Sequence, residues 1–416
     1  VPPPATLGRR NLLAVSLTSF LTDLSSEMVL NLLPLFLVGP LGVRASVIGV
    51  IEGVAEATAS LLKVASGWWS DRLEARKALA VVGYGISSVA KPLFLLAASW
   101  GGVAVVRWLD RVGKGVRTAP RDALLAESLE ARRRGFGFGL HRAADTAGAA
   151  LGLAVALAVV AWQQGAAQGL RAETFHRVVL ISILPALLAV LALATLARDV
   201  PSTPHAAGRR AHKTPGPTVG WRALPRPFFA FLAIAGLFEL GNSADAFLVL
   251  LADARGLSVL GVLGMLLTLN LVYAATSTWS GSLADRIGRR PVLVAGWMLY
   301  ALVYLGLAQA ESGAAVWALA AVYGLYYGLS YGTARAFIAD LVPAPARGKA
   351  FGLFAATVGV LDLPASVVAG VLWHGVGGWQ GFGASAPFWF AAAMAALATL
   401  ALLVWRPVEG GRGWKV

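Results

Sequence analysis

From residue 11 onward, apolar stretches of about 20 residues follow one another almost without interruption, each long enough to cross roughly 30 Å of hydrocarbon as a helix. Twelve such spans are predicted, near 11–38, 46–70, 78–98, 101–126, 136–162 and 175–197, then 227–252, 257–281, 291–310, 314–341, 348–374 and 385–405. A chain organised this way is an all-α membrane protein. Composition agrees: with 57% hydrophobic residues, 13% charged residues and a mean hydropathy of +0.70, there is too little polar surface to cover a soluble globule.

A net charge of +14 in isolation would suggest nucleic-acid binding. Its distribution argues otherwise. With the N-terminus cytoplasmic, the cytoplasmic segments carry 22 Lys and Arg and the outer loops only Arg44, Arg171, Arg177 and Arg255. This positive-inside asymmetry predicts both termini in the cytoplasm, in the plasma or inner membrane. Residues 11–38, with Asp23 and Glu27 in their middle, are too long and too polar for the core of a cleaved signal peptide. Cysteine is absent, so neither a disulfide framework nor a thiolate metal site is expected. Arginine outnumbers lysine 28 to 7 in an alanine-rich chain, a balance associated with GC-rich prokaryotic genomes.

One segment breaks the apolar rhythm. Residues 198–226 contain Pro201, Pro204, Pro215, Pro217 and Pro225 with several basic residues, and read as a cytoplasmic linker between a first unit, 1–197, and a second, 227–405, with a tail at 406–416. The two units repeat one another. "GWWSDRLEARK" (67–77) returns as "GSLADRIGRRP" (281–291), its aspartates 214 residues apart (285 − 71), and "AESLEARRRGFGFGL" (126–140) as "ADLVPAPARGKAFGL" (339–353). In the first span of each unit "SSE" (25–27) faces "SAD" (243–245) at an offset of 218. Six spans per unit bring the second into the membrane in the orientation of the first, a parallel repeat suited to rocking about the membrane normal.

These motifs carry a resemblance. Gly-x-x-x-Asp-Arg-x-Gly-Arg-Arg between spans 2 and 3, with its echo between spans 8 and 9, resembles the signature of the major facilitator superfamily, and the resemblance covers nearly the whole chain. The second copy is complete through Gly288, Arg289 and Arg290, whereas the first has Glu74 and Ala75 where Gly and Arg are expected. "DRVGKGVRTAPRDALLAE" (110–127) further resembles a prokaryotic branch described as efflux permeases. The resemblance implies twelve transmembrane helices in two parallel six-helix halves, secondary transport by alternating access, no cofactor and a monomer.

The motif has a physical reading as a gate. Gly67 and Gly281 permit close helix approach, and Asp71 and Asp285 end their spans at the surface, where a carboxylate can meet the positive N-terminal end of a helix. The resemblance suggests that those ends are the starts of spans 11 and 5, near Gly348 and Gly135. Arg72, Arg286 and Arg289 complete the gate, or serve only to hold topology.

Ionisable groups at membrane depth cost roughly 2.5 to 3.5 kcal/mol on insertion scales and so mark function. Span 4 sets Arg107, Asp110, Arg111, Lys114, Arg117 and Arg121 within one helical stripe. Span 2 offers Glu52, Glu56 and Lys63 on one face, span 1 stacks Asp23 over Glu27, and span 5 opens with His141, Arg142 and Asp145. Counting about 1.5 Å per residue places Glu27 and Glu52 near the depth of Arg107, and Asp23, Glu56 and Asp145 nearer Asp110 and Arg111. Either a wet cavity or a buried salt-bridge lattice accommodates the stripe. In the second unit Glu239, Asn242 and Asp245 polarise span 7, Arg335 and Asp340 mark span 10, Asp362 precedes Pro364, and Tyr327 lies in the aromatic "YGLYYGLSYG" of 323–332.

The five histidines form no His-x-x-x-His or His-Glu-x-x-His arrangement, so no metal site is expected, and no Walker-type loop supports an ATP-driven pump. A carrier is expected in preference to a membrane enzyme or to a sensor that kept the fold. The first expectation is a proton-linked antiporter exporting small amphipathic molecules, with Asp23, Glu27 and Asp145 as coupling acids. An organic-anion carrier using the basic stripe of span 4 is the alternative. The partners expected are a small-molecule substrate, protons and the lipid bilayer, with no nucleic acid.

Overall fold

A computed structural model describes residues 5–73, 75–130, 134–200, 224–343 and 346–405. Most of the predicted linker, the whole tail, Glu74 and the side chain of Asp71 lie outside the described residues, as do the surroundings of Gly135. The protein is a bundle of twelve helical spans in two halves of six. Span 1 is two helices, Ala5–Leu30 and Leu33–Val38, and span 7 likewise, Arg226–Gly241 and Ala246–Ala254. Spans 2 to 6 are Ala45–Leu73, Arg76–Leu93, Trp100–Ser128, Arg134–Gln164 and Ala172–Leu196. Spans 8 to 12 are Val259–Ile287, Arg289–Gln309, Gly313–Leu341, Arg347–His374 and Ala386–Val404. By length and hydropathy ten of these are able to cross a membrane alone. Span 4 fails that test because of its charged stripe, and span 3 because it is short and carries Arg76, Lys77 and Lys91; both are covered by neighbours.

The duplication is written into the element boundaries. Spans 2 and 8 begin and end 214 residues apart (259 − 45 and 287 − 73), and spans 4 and 10 begin and end 213 apart (313 − 100 and 341 − 128). Their starts are made alike: Ser99 Oγ accepts from Gly102 N at 3.3 Å and Ser312 Oγ from Ala315 N at 3.3 Å, each satisfying a backbone donor the first helical turn leaves free. In the signature loop Gly288 ends span 8 at φ 96°, a conformation that costs a side-chain-bearing residue and that glycine adopts freely. One expectation is corrected here. The second pieces of spans 1 and 7 start at Leu33 and Ala246, an offset of 213 (246 − 33), which sets Asp245 opposite Leu32, beside Asn31, and not opposite Glu27 as the offset of 218 had it.

Within the first half, span 1 packs on spans 5 and 6, and span 4 on spans 2 and 3; in the second, span 10 packs on spans 8 and 9, and span 12 on spans 7 and 9. The halves meet along span 2 against span 11 and span 5 against span 8. Both described chain ends, Ala5 and Trp405, lie on one face of the bundle, here the terminal face. Toward the opposite face the seam of spans 2 and 11 is tight: a Cβ on Gly49 would strike the Ser366 carbonyl, on Gly53 the Leu363 backbone and on Gly370 the backbone of Ala45 and Ser46. Toward the terminal face the halves part, and Gly348 and Gly352 of span 11 face open space.

Candidate functional site

Two chambers lie between the halves. The central one, about 470 Å3, is lined from the first half by Glu27, Asn31, Glu52, Glu56 and three arginines, and from the second by residues of the span 7 break together with Asp362 and Ser366. The other, about 830 Å3, lies toward the terminal face between spans 2, 7, 10 and 11 and is largely aromatic, with Phe238, Trp297, Tyr326 and Phe351 in its wall and Lys63, Glu239 and Arg335 as its ions. Tyr327 and Tyr331 line both, so the chambers adjoin.

The helical period of spans 2 and 4 builds the ionic wall. Glu52 and Glu56 are one turn apart on span 2, Arg107 and Arg111 one turn apart on span 4, and the pairs meet rung to rung. Arg107 Nε donates to Glu52 at 3.1 and 3.2 Å and its Nη2 at 2.5 Å, in a pair whose side chains are 5% and 8% exposed. Arg111 Nε lies 3.2 Å from Glu56 Oε1, close enough for ion pairing but without hydrogen-bond geometry. Asp110 sits behind, 3.7 Å from Arg107 and 3.9 Å from Lys91, whose Nζ also donates to Ser26 Oγ at 3.1 Å. At Arg107 and Arg111 the stripe is therefore paired with the acids of span 2. Lys91 went unrecognised as a partner in the sequence, although it is a charge in mid-span.

Further along the stripe Arg117 stacks over the Tyr84 ring at 4.7 Å and donates to Ser87 Oγ at 2.5 Å, while Arg121 pairs with Asp122 at 2.8 Å and donates to Ser19 at 3.2 Å. On span 5 His141 is buried, 3.8 Å from Asp145, and neither ring nitrogen makes a hydrogen bond; Arg142 is exposed, 3.9 Å from Asp145, and reaches across the halves to Tyr273 Oη at 3.4 Å. Gly148 and Gly152 of this span allow its close approach to Phe20 and Leu24 of span 1.

Span 7 breaks over Asn242 to Asp245, where Gly241, Asn242 and Ser243 interrupt the apolar run. Asn242 Nδ2 donates to Glu239 at 2.9 Å, and the Ala244 amide donates to Ser366 Oγ at 3.2 Å. Asp245 accepts from Tyr327 Oη at 3.1 Å and from Tyr323 Oη at 3.4 Å, and a chain of phenols continues through Tyr304. Asp362, which also faces the chamber, makes no hydrogen bond or ion pair among the described residues.

Of the residues expected at a substrate cavity, Arg107, Arg111, Arg142, Asn242, Asp245 and Tyr327 line the central chamber and Glu239 the aromatic one. Asp110, Lys114 and His141 line neither, which corrects their assignment: Asp110 and His141 are packed behind the wall, and Lys114 is an exposed cation within electrostatic reach of Arg111, Glu56 and Asp362. Of the three coupling acids only Glu27 reaches the chamber, its Oε2 held by Asn31 Nδ2 at 2.7 Å; Asp23 and Asp145 stay between helices of the first half. Residues missed in the sequence include Asn31, Tyr273 and Ser366. Asn31 had a signal, since it precedes Pro34 in an apolar run.

Of the two gate aspartates only Asp285 has a described side chain, and it is not docked. Asp285 is 75% exposed and 4.0 Å from Arg289 of the next helix, not at the start of span 5. Arg289 binds the Ala336 carbonyl at 2.8 Å and the Asp340 carboxylate. Arg72 stacks over Trp68 at 3.9 Å, Arg286 and Gly281 are exposed, and Gly67 and Gly348 face one another across the aromatic chamber. Among the described residues no group of three or more His, Asp or Glu side chains is placed to hold a metal ion.

The sequence model of the Major Facilitator Superfamily matches residues 15–272 and 246–415. An uncharacterized MFS-type transporter of Methanocaldococcus jannaschii is 35% identical over 370 residues, covering 88% of each chain. Among solved structures, a D-xylose-proton symporter superposes with a TM-score of 0.74 at 18% identity over 98% of this chain and 99% of that one. A bacterial homolog of the human lysosomal transporter Spinster gives 0.77 at 14% identity over 96% and 97%.

Proposed function

The chain belongs to the Major Facilitator Superfamily, and from that premise we propose that it is a proton-coupled exporter of small amphipathic molecules, working by alternating access in the plasma or inner membrane with both termini cytoplasmic. The observation that carries this reading is the junction at Tyr327 and Tyr331 of an ion-lined chamber with an aromatic one, between two halves whose seam is tight toward one face and parts toward the other. Such a site takes a molecule with a polar head and an apolar body. The excess of basic residues on the terminal face makes that face cytoplasmic, so the site as seen loads from the cytoplasm. The D-xylose-proton symporter among the similar folds is consistent with proton coupling.

For coupling, Glu27 is the acid that meets both requirements: it faces the chamber, and the carboxylates that share that chamber with it, Asp245 and Asp362, belong to the other half, so their distance changes when the halves rock. Asp23, one turn earlier and out of the chamber, modulates it. The organic-anion reading retains one supporting observation, the guanidinium of Arg111, but Arg107 is committed to Glu52. Reconstitution in liposomes with a cationic and an anionic fluorescent amphiphile decides. Accumulation driven by a pH gradient, with counterflow, supports the exporter; transport of the anion alone supports the second reading; transport of neither overturns both.

A further inference from the structure

The cations of the central chamber all come from one half. Arg107, Arg111 and Arg142 belong to the first half, which also supplies Glu27, Glu52 and Glu56; the second contributes Asp245 and Asp362 and no cation. Each side also keeps unused capacity. Arg111 is 7% exposed and ion-paired with Glu56 at 3.2 Å, yet none of its guanidinium nitrogens makes a hydrogen bond among the described residues, although the group carries five N–H donors. Across the gap Asp245 takes only phenol hydroxyls and Asp362 takes nothing. A buried polar group with unused hydrogen-bonding capacity is costly, and a ligand that fills that capacity recovers part of the cost.

A purely cationic guest would satisfy Asp245 and Asp362 but face Arg111; a purely anionic one would do the reverse. Resting on the transport reading above, we propose that the chamber takes an amphipathic zwitterion, its anionic group on Arg111 and its ammonium between Asp245 and Asp362, with the apolar body among Phe238, Trp297 and Phe351 of the adjoining chamber. Such a ligand contacts both halves at once. Its binding therefore differs between states in which the halves are close and apart, which is the condition for a ligand to shift that equilibrium.

The test uses the purified full-length protein and three matched triplets, built on indolyl, phenyl and decyl bodies, each as the amino acid, its methyl ester and its N-acetyl derivative. These present both charges, the cation alone and the anion alone, and binding is read by thermal shift and by equilibrium dialysis. The zwitterion is expected to bind about tenfold or more tightly than either singly charged partner in at least one triplet, the scale of one charged hydrogen bond. Arg111→Gln should reduce the zwitterion to the affinity of the ester, Arg111→Lys should restore part of it, and Asp362→Asn should independently reduce it toward the N-acetyl form. A singly charged member that binds as well in every triplet, or no binding by any member, overturns the proposal. If liposomes still concentrate a singly charged amphiphile, transport stands and the zwitterion falls; if the zwitterion binds with this charge dependence but shows no counterflow, transport falls and the site stands.

Discussion

At the scale of single residues, the pair Arg107 and Glu52 carries the clearest energetic consequence. Both groups are almost wholly buried, so removing Arg107 leaves Glu52 without its partner, at a cost of about 3 to 5 kcal/mol, and removing Glu52 costs less because Arg107 keeps Glu56 at 3.6 Å and Asp110 at 3.7 Å. Arg107→Gln or Glu52→Gln alone should lower the thermal midpoint in detergent, whereas the double substitution should recover most of the loss. A double variant no more stable than the singles would show that the pair is not what holds spans 2 and 4 together. Glu27→Gln tests the coupling proposal: transport driven only by a pH gradient should stop, while exchange of substrate for substrate continues, since exchange moves no net proton. Accumulation of substrate by that variant under a pH gradient would remove Glu27 from the role.

At the scale of elements, the signature loops divide the work unequally. Asp285 is 75% exposed here, against Arg289 of the next helix, and we propose that its expected dock at span 5 forms in the opposite conformation. The interaction is worth about 0.3 to 1 kcal/mol, and Asp285→Asn should raise the population open on the terminal face roughly two- to fivefold, read from spin-label distances between the terminal-face ends of spans 2 and 11. An unchanged distance distribution would leave the aspartate without a gating role.

How far the elements were legible follows from periodicity. All twelve spans were readable because an apolar run of that length has one solution in lipid, and the rungs between spans 2 and 4 were readable because both helices place charges four residues apart at matching depth. The breaks in spans 1 and 7 were not, because each is short and flanked by apolar sequence that together makes one span-length run; only Asn31 with Pro34 and the Gly-Asn-Ser triplet mark them. Lys91 escaped because its partners, Ser26 and Asp110, come from two other helices that share no local pattern with it. His141 was misplaced for a related reason: the charge pattern of one helix does not say which neighbour covers which part of it.

At the scale of the whole molecule, the chain contains no cysteine, so single cysteines report topology without background. A cysteine at Arg412 should react with an impermeant maleimide only from the cytoplasmic side, and one at Gly378 in the loop between spans 11 and 12 only from outside; the reverse labelling would invert the orientation and with it the direction of loading. The seam between spans 2 and 11 sets the second expectation. Gly49→Leu puts a side chain into the Ser366 carbonyl and should hold the outer face apart, seen as increased labelling of a cysteine at Asn31 from outside.

That seam has one more property. On the outer face the polar links between the halves are the Ala45 amide to His374 Nδ1 at 3.1 Å and Gln168 Nε2 to the Gly256 carbonyl at 3.2 Å, and among the described residues no ion pair joins the halves there. Closure on that side is a matter of shape, of glycine against backbone, whereas the signature aspartates that would close the other side act through charge. The two doors of this molecule therefore answer to different variables: added salt should loosen the cytoplasmic door and leave the outer one indifferent, so that ionic strength alone biases which side of the membrane the site faces.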